Sequence, residues 1–95
     1  MPGLDWTLPA QEDLRNINRW LAKNRSPAIA ARTLIEIRTR STFLEDFPHG
    51  GRPGHDATRV LRVHDTPYLI LYRLRADIVE ILRIRHERED WQIEP

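Results

Sequence analysis

The chain has no cysteine, a single lysine and no long apolar run, and each absence excludes a class of protein. Without cysteine it can form neither a disulfide framework nor a thiolate metal site. Because small secreted domains usually need such cross-links, we expect a cytoplasmic protein. The longest apolar run, residues 68–72, is far shorter than the roughly 20 residues that cross a bilayer. Residues 1–6 lack the basic start and apolar run of a signal peptide.

The length of 95 residues predicts a single domain over residues 1–95. A core of this size buries about 60–65% of the surface that the unfolded chain exposes, and a second domain would have nothing left to bury. The net charge is +1, so no strong overall field draws the chain onto nucleic acid.

Arginine supplies fourteen of the fifteen basic residues, and Lys23 is the only lysine. Two interpretations remain open. One is a compositional bias of the genome. The other is an interface with an acidic partner, because arginine is enriched and lysine depleted where proteins meet.

A short strand is predicted at the start of the chain. Leu4, Trp6 and Leu8 alternate with polar residues, which is the period of a strand with one buried face. Pro9 then ends the pairing and suits the first turn of a helix.

The next segment has helical spacing from Ala10 to about Lys23-Asn24. Glu12 and Asp13 are expected in its first turn, where the helix dipole favours anions. The apolar stripe predicted for this helix consists of Leu14, Ile17, Trp20 and Leu21. We expect Trp20, like Trp6, to lie in the core.

A second helix is predicted to begin at Ser26-Pro27, a hydroxyl cap followed by a proline at the first helical position. Because the link is so short, the two helices should form an antiparallel hairpin. The broad apolar face expected for the second helix includes Ala30, Ala31, Leu34, Ile35, Ile37 and Leu44.

The second half of the chain predicts a loop followed by three strands. Residues 47–58 contain three glycines and two prolines, which should exclude regular structure. The strands 59–63, 68–74 and 78–85 are joined by hairpin-length links and predict an antiparallel meander. The expected fold is therefore α+β, in the order β-α-α-β-β-β, with the N-terminal helix hairpin packed on an antiparallel sheet.

Metal and nucleotide sites find little support in the sequence. His49, His55, Asp56 and His64 lie on or near the glycine-rich loop, without the compact spacing that zinc sites need. Residues 49–54 lack the Gly-Lys-Ser/Thr ending of a phosphate-binding loop. We expect no metal and no cofactor.

The C-terminal segment offers one constellation for acid–base chemistry. His86 could carry a proton while Arg62 and Arg88 stabilise charge on a phosphate, which would suit RNA cleavage. Alternatively, His86 simply ends a strand and the arginines pair with the acidic residues among 87–90. Trp91 is equally compatible with a lid on the sheet and with an exposed binding anchor.

Several segments together resemble the RelE/ParE superfamily of bacterial type II toxins, over essentially the whole chain. The first of these segments is the Trp-bearing first strand. The others, in chain order, are Ala10-x-x-x-Leu14-x-x-Ile17, Pro48-x-Gly50-Gly51-Arg52, Arg59-Val-Leu-Arg62-Val, Tyr68-Leu-Ile-Leu-Tyr72-Arg73 and Ile81-Leu-Arg-Ile84-Arg-His86-x-Arg88-x-x-Trp91. No single segment is decisive, but their order and combination are specific.

This resemblance implies one of two activities. RelE-like members cleave messenger RNA on the ribosome without metal, and ParE-like members poison DNA gyrase. By resemblance, Arg62 and Arg88 match charge-stabilising arginines of RelE-like toxins. The chain departs from that pattern because Leu69 replaces a basic residue, no lysine cluster exists and no tyrosine follows Tyr72. A ribosome-bound nuclease should also be more basic. The resemblance therefore favours the ParE-like branch, with DNA gyrase as the target.

Either branch implies a cognate ParD-like antitoxin with a DNA-binding domain and an acidic tail that folds on contact. The toxin would then form a hetero-oligomer with it and reach DNA only through it. No catalytic residue is favoured; a RelE-like activity would use Arg62, His86 and Arg88. The candidate antitoxin- or target-binding residues are Arg59, Arg62, Arg83, Arg85, His86, Arg88 and Trp91.

Overall fold

The computed structural model describes residues 3–88, which form two helices and a five-stranded sheet. The elements are β1 (Gly3–Trp6), α1 (Leu8–Asn24), α2 (Pro27–Asp46), β2 (Arg52–Pro53), β3 (Arg59–Arg62), β4 (Tyr68–Arg75) and β5 (Ile78–His86). The strand order is β1-β5-β4-β3-β2, and β1 runs parallel to β5 while the other pairs are antiparallel. The predicted α+β architecture is confirmed, and the parallel first strand makes the sheet mixed.

The core lies between the helix pair and one face of the sheet. Ile37 of α2 and Ile70, Tyr72 and Ile81 of the sheet are fully buried there. β4 occupies the centre of the sheet, as its nearly continuous apolar run predicts. Within residues 3–88, neither helix combines the length and the apolar character that a membrane crossing requires.

The first strand is shorter than predicted. It ends at Trp6, and Leu8 is the first residue of α1 with 75% of its surface exposed. Thr7 explains the difference, because it caps the helix. Its hydroxyl accepts a hydrogen bond from the Ala10 amide at 3.3 Å and donates to the Ile81 carbonyl at 2.8 Å.

Because α1 begins at Leu8, its first turn contains no acidic residue, and the expectation that Glu12 and Asp13 lie there was wrong. The predicted start of α2 is confirmed. Ser26 is the N-cap, and its hydroxyl accepts a hydrogen bond from the Ile29 amide at 3.1 Å.

Two large apolar side chains predicted to be buried are exposed. Trp20 is 57% exposed and Ile35 is 61% exposed, whereas Leu21 and Ile37 one or two positions along are buried. Ala31 is also exposed. The apolar stripe of each helix is thus wider than the strip that the sheet and the other helix can cover, and its margin faces solvent.

The glycine-rich loop is not wholly irregular, contrary to the prediction. Arg52 and Pro53 form the short edge strand β2, which pairs with the start of β3. Proline is tolerated there because an edge strand has one unpaired side. The buried Tyr72 hydroxyl accepts from the Gly51 amide and donates to the Pro48 carbonyl, both at 2.9 Å, so the sheet itself holds the loop.

Candidate partner-binding site

The candidate residues gather at one end of the sheet, where β3 ends, β4 begins and β5 ends; we call this end the sheet rim. Across it, Arg62 is opposite Leu69, which is opposite Arg85. In the next row, Tyr68 is opposite His86. Successive side chains on a strand point to opposite faces, so these two rows face opposite sides of the sheet.

Arg62 lies on the outer face of the sheet, the face turned away from the helices. Its side chain is 60% exposed, and its Nη1 is 3.6 Å from Oε2 of Glu87. The alternative in which Arg62 pairs with a nearby acidic residue is therefore the one observed. An exposed pair of this kind contributes little to stability, so a partner can displace it at small cost.

His86 lies on the helix face beside Tyr68, whose ring it meets edge to face with centroids 5.6 Å apart. Its Nδ1 accepts a hydrogen bond from the Arg88 amide at 3.1 Å. Arg62 and His86 therefore do not converge on one point, because the thickness of the sheet separates their side chains.

A cleft of about 610 Å³ opens on the helix face at the rim, between the α1–α2 turn, the β3–β4 turn and the end of β5. Trp20, Ile29, Pro67 and Tyr68 are among its apolar lining residues, and His86 also contributes to the lining. We call it the Trp20 cleft.

Charge at the mouth of the Trp20 cleft is mainly positive. Arg25 and Arg32 line it from the two helices, and both are exposed. In the part of the chain that the structure describes, neither guanidinium makes an ion pair. Asp65 is the one acidic residue in the lining. The cleft therefore combines an apolar floor with free cations, and the sequence reasoning had singled out neither arginine.

Two of the predicted binding residues make contacts within the fold. Nη2 of Arg59 donates to the carbonyls of His49 and Gly51 at 3.2 and 2.7 Å, which fixes the loop onto β3. Arg83 forms a two-pronged ion pair with Asp13 of α1.

Of the other candidates, Arg85 is buried on the outer face and Arg88 is exposed at the end of the described chain. Trp91 lies outside the described residues. Among residues 3–88, no three histidine, aspartate or glutamate side chains form a group that could hold a metal ion. Nε2 of His55 lies 3.4 Å from Oδ2 of its neighbour Asp56.

Comparison with known proteins identifies the family. The family model described as the ParE toxin of the type II toxin-antitoxin system, parDE, matches residues 4–91. The chain belongs to the ParE toxin family. This ParE-family protein is therefore the toxin component of a type II toxin–antitoxin system, within the RelE/ParE superfamily that the sequence resembles.

Individual relatives agree with this assignment. The Y4kP protein of Sinorhizobium fredii is 40% identical over 87 residues, covering 90% of this chain and 88% of its own. Toxin RelE2 of Caulobacter vibrioides is 35% identical over 86 residues, covering 90% of this chain and 96% of its own. A solved chromosomal ParDE system from P. aeruginosa superposes with a TM-score of 0.85 at 26% identity, covering 90% of this chain and 96% of that one. The ParDE match supports an antitoxin partner for this toxin.

Proposed function

We propose that this ParE-family toxin inhibits DNA gyrase and that a ParD-like antitoxin with an acidic tail neutralises it. The placement of Arg62 and His86 on opposite faces of the sheet carries the proposal. Metal-independent RNA cleavage needs a proton carrier and a charge-stabilising cation at the same phosphodiester. The two side chains best suited to those roles lie on opposite faces of the sheet, which argues against their acting on one phosphate together.

Charge supports the same conclusion. A nuclease that works on the ribosome must hold a polyanion, and phosphate contacts from basic side chains dominate such binding. This toxin has a net charge of +1. Arg62, Arg73 and Arg83 each lie within 4 Å of a carboxylate of the toxin itself.

A RelE-like ribosome-dependent messenger RNA endonuclease is the second candidate. One observation favours it: two relatives from Caulobacter vibrioides, at 35% and 37% identity, are named RelE2 and RelE3. In that case Arg62, His86 and Arg88 would carry the reaction, and they would have to move onto one side of the rim.

Two assays on the same purified toxin separate these candidates. We expect inhibition of DNA supercoiling by gyrase and no cleavage of a transcript bound to ribosomes. We also expect the His86→Ala and Arg88→Ala variants to show the same background level of transcript cleavage on ribosomes as the unsubstituted toxin. Transcript cleavage that both substitutions abolish, without loss of the fold, would replace the gyrase proposal by the nuclease. Inactivity in both assays would indicate a non-toxic remnant that serves only in the antitoxin complex.

The antitoxin should cover the helix hairpin and the sheet rim together, because the Trp20 cleft lies between them. An acidic segment with a large apolar side chain matches the apolar floor and the free guanidinium groups of Arg25 and Arg32. Ordering a disordered tail on binding lowers its conformational entropy. The contacts that the tail makes over a long stretch of the toxin surface offset this cost.

Charge reversal tests this placement. In a complex co-purified with the antitoxin, Arg32→Glu and Arg62→Glu should each weaken the affinity by about tenfold or more, since each puts a carboxylate against an acidic tail. Arg19→Glu is the matched control, because Arg19 is exposed on α1 and does not line the cleft. Arg59→Glu is a poor probe, since it would also release the loop. Unchanged affinity in both test variants would refute the placement.

A further inference from the structure

The C-terminal end of α2 carries charge of the sign that a helix end disfavours. Glu45 and Asp46 are the last two residues of α2, and its last turn contains no basic residue. A helix ends in unsatisfied carbonyl groups with partial negative charge, so cations are favoured there and carboxylates are not. The end of α1 follows this rule, because its last turn contains Lys23. The acidic end of α2 is therefore unfavourable for the helix itself.

No ion pair neutralises these two carboxylates in the part of the chain that the structure describes. Asp46 is exposed, and Glu45 is half-buried. Arg59 reaches the loop that follows α2, but its Nη2 donates to the carbonyls of His49 and Gly51. The negative charge at this end of α2 is therefore available to a partner.

An exposed aromatic ring directly follows the carboxylates. Phe47 is 57% exposed, and its ring stacks on that of Phe43 with centroids 4.9 Å apart and planes inclined by 25°. The backbone holds Phe47 in place. Its amide donates to the Phe43 carbonyl at 3.0 Å, and its carbonyl accepts from the Gly50 amide at 2.9 Å. An aromatic side chain that is already held in position loses little conformational entropy on binding, which suits the centre of an interface.

A column of side chains on α2 shows which charge these rings attract. Arg40, Phe43 and Phe47 are three and four positions apart, so they follow one side of the helix. The guanidinium carbon of Arg40 lies 4.6 Å from the centre of the Phe43 ring, which is a cation–π contact. Nε of Arg40 also donates to the Arg62 carbonyl at 3.0 Å, at the end of β3 that β2 leaves unpaired. Phe47 adds a second ring at the end of the column, where a cation from another molecule can reach it.

We propose that Phe47, Glu45 and Asp46 bind a basic segment of the toxin's target, with an arginine or lysine side chain packed on the Phe47 ring. Charge complementarity selects this occupant, because the two carboxylates, the negative end of the helix dipole and the face of the ring all attract a cation. An enzyme that holds DNA carries arginine and lysine for phosphate contacts and so presents such segments. The inference rests on the proposed inhibition of DNA gyrase and specifies the toxin surface that gyrase contacts.

We call these three residues the Phe47 patch. None of them lines the Trp20 cleft, so the surface proposed for the target differs from that proposed for the antitoxin. A substitution in the Phe47 patch should therefore affect inhibition of gyrase more than it affects the affinity for the antitoxin.

Charge reversal at Asp46 separates binding from stability. Asp46→Lys replaces a disfavoured carboxylate at the end of α2 by a favoured cation, so the melting temperature should rise. The toxin concentration that halves supercoiling by gyrase should nevertheless increase by about tenfold or more, because like charges then meet at the interface. Asp77→Lys is the matched control, since Asp77 is exposed in the β4–β5 turn and the change in net charge is the same. It should leave inhibition unchanged.

Phe47→Leu tests the ring. Leucine keeps an apolar side chain but has no π face, so about threefold or more toxin should be needed for the same inhibition. Sedimentation velocity tests whether a second copy of this chain occupies the patch instead. A toxin dimer that Phe47→Leu dissociates would overturn the proposal.

The remaining outcomes distinguish the Phe47 patch from the gyrase assignment. Inhibition that neither Asp46→Lys nor Phe47→Leu weakens would overturn the patch and leave the gyrase assignment standing. An equal loss of inhibition in Asp77→Lys would show an effect of net charge alone and would also overturn the patch. Failure of the unsubstituted toxin to bind or inhibit gyrase would overturn both.

Discussion

Asp13 of α1 and Arg83 of β5 are 70 positions apart in the sequence and form a two-pronged ion pair. Nε and Nη2 of Arg83 lie 2.8 and 2.9 Å from the two carboxylate oxygens, and the same carboxylate accepts the Ile84 amide at 2.9 Å. β1 pairs with β5 only as far as Ile81. Asp13 therefore joins α1 to the part of β5 that does not pair with β1. An unpaired strand edge there could form backbone hydrogen bonds with another chain.

Replacing Asp13 should lower the stability of the toxin more than the loss of a typical carboxylate near the surface does. Its side chain is only 12% exposed, and Asp13→Ala would remove the carboxylate to which both Arg83 and the Ile84 amide donate. We expect a loss of about 2–3 kcal/mol in the free energy of unfolding, measured by denaturant titration. The control is Glu12→Ala, which removes an exposed pair with Arg15 and should cost less than about 0.5 kcal/mol. Equal losses in the two variants would show that the partly buried Asp13–Arg83 pair adds no more stability than the exposed Glu12–Arg15 pair.

Tyr72→Phe should loosen the loop without emptying the core. The ring stays, but the Gly51 amide and the Pro48 carbonyl lose their hydroxyl partner, at a cost of about 1–3 kcal/mol. Hydrogen exchange over residues 48–53 should rise more than exchange in β4. Gly51→Ala should be at least as harmful, because its Cβ would collide with the same hydroxyl, whereas Gly3→Ala meets nothing within 4 Å. A loop that remained protected in Tyr72→Phe would contradict this account.

Ala76→Gly should stabilise the toxin. Ala76 lies in the two-residue turn between β4 and β5 with φ of 54°, a left-handed conformation that a Cβ disfavours. Glycine should relieve about 1 kcal/mol, which raises the melting temperature by about 4–8 °C in a domain of this size. Ala31→Gly on the exposed side of α2 should lower the stability by about 1 kcal/mol. A decrease in both variants would rule out strain at Ala76.

Trp20→Ser should weaken antitoxin binding while leaving the fold nearly unchanged. The side chain is 57% exposed in the toxin alone and lines the cleft at the rim, so most of its apolar surface remains to be buried by a partner. We expect an affinity loss of about tenfold or more by calorimetric titration, with a stability change below about 1 kcal/mol. Ile35→Ser is the control, since Ile35 is 61% exposed but does not line the cleft. Equal effects on binding would argue against a specific anchor at Trp20.

The local elements were largely readable from the chain. The serine-proline pair at Ser26 marks the start of α2, and apolar-rich runs separated by hairpin-length links locate the three C-terminal strands to within about one residue. These features follow from interactions between near neighbours, so sequence alone contains them. The wrong predictions concern residues at the ends or edges of elements. The sequence does not show that Thr7 caps α1. Nor does the spacing of apolar residues show how much of a helical stripe the sheet and the other helix will cover, so it wrongly predicts a buried Trp20.

The site was less predictable, because it depends on register. Any antiparallel meander of these strands brings Arg62 and His86 to the same end of the sheet. The face on which each side chain lies depends on the register of β3 and β5 against β4. A β-bulge between β4 and β5 at Leu71–Tyr72 changes that alignment further. Residue types alone therefore could not show that Arg62 and His86 lie on opposite faces of the sheet.

The sequence by itself determined the element order, since capping, turn chemistry and apolar period are local properties of neighbouring residues. The superfamily came from the resemblance of its segments, in order and combination, to known toxins. Tertiary structure alone decided that Arg59 and Arg83 make contacts inside the fold and that Arg40 caps an open strand edge. It also decided that Arg25 and Arg32, beside Trp20, form no ion pair within residues 3–88. An arginine has the same charge in all these settings. Its role depends on whether a carbonyl, a carboxylate or only solvent lies within reach of its guanidinium, and folding brings those groups from distant parts of the chain.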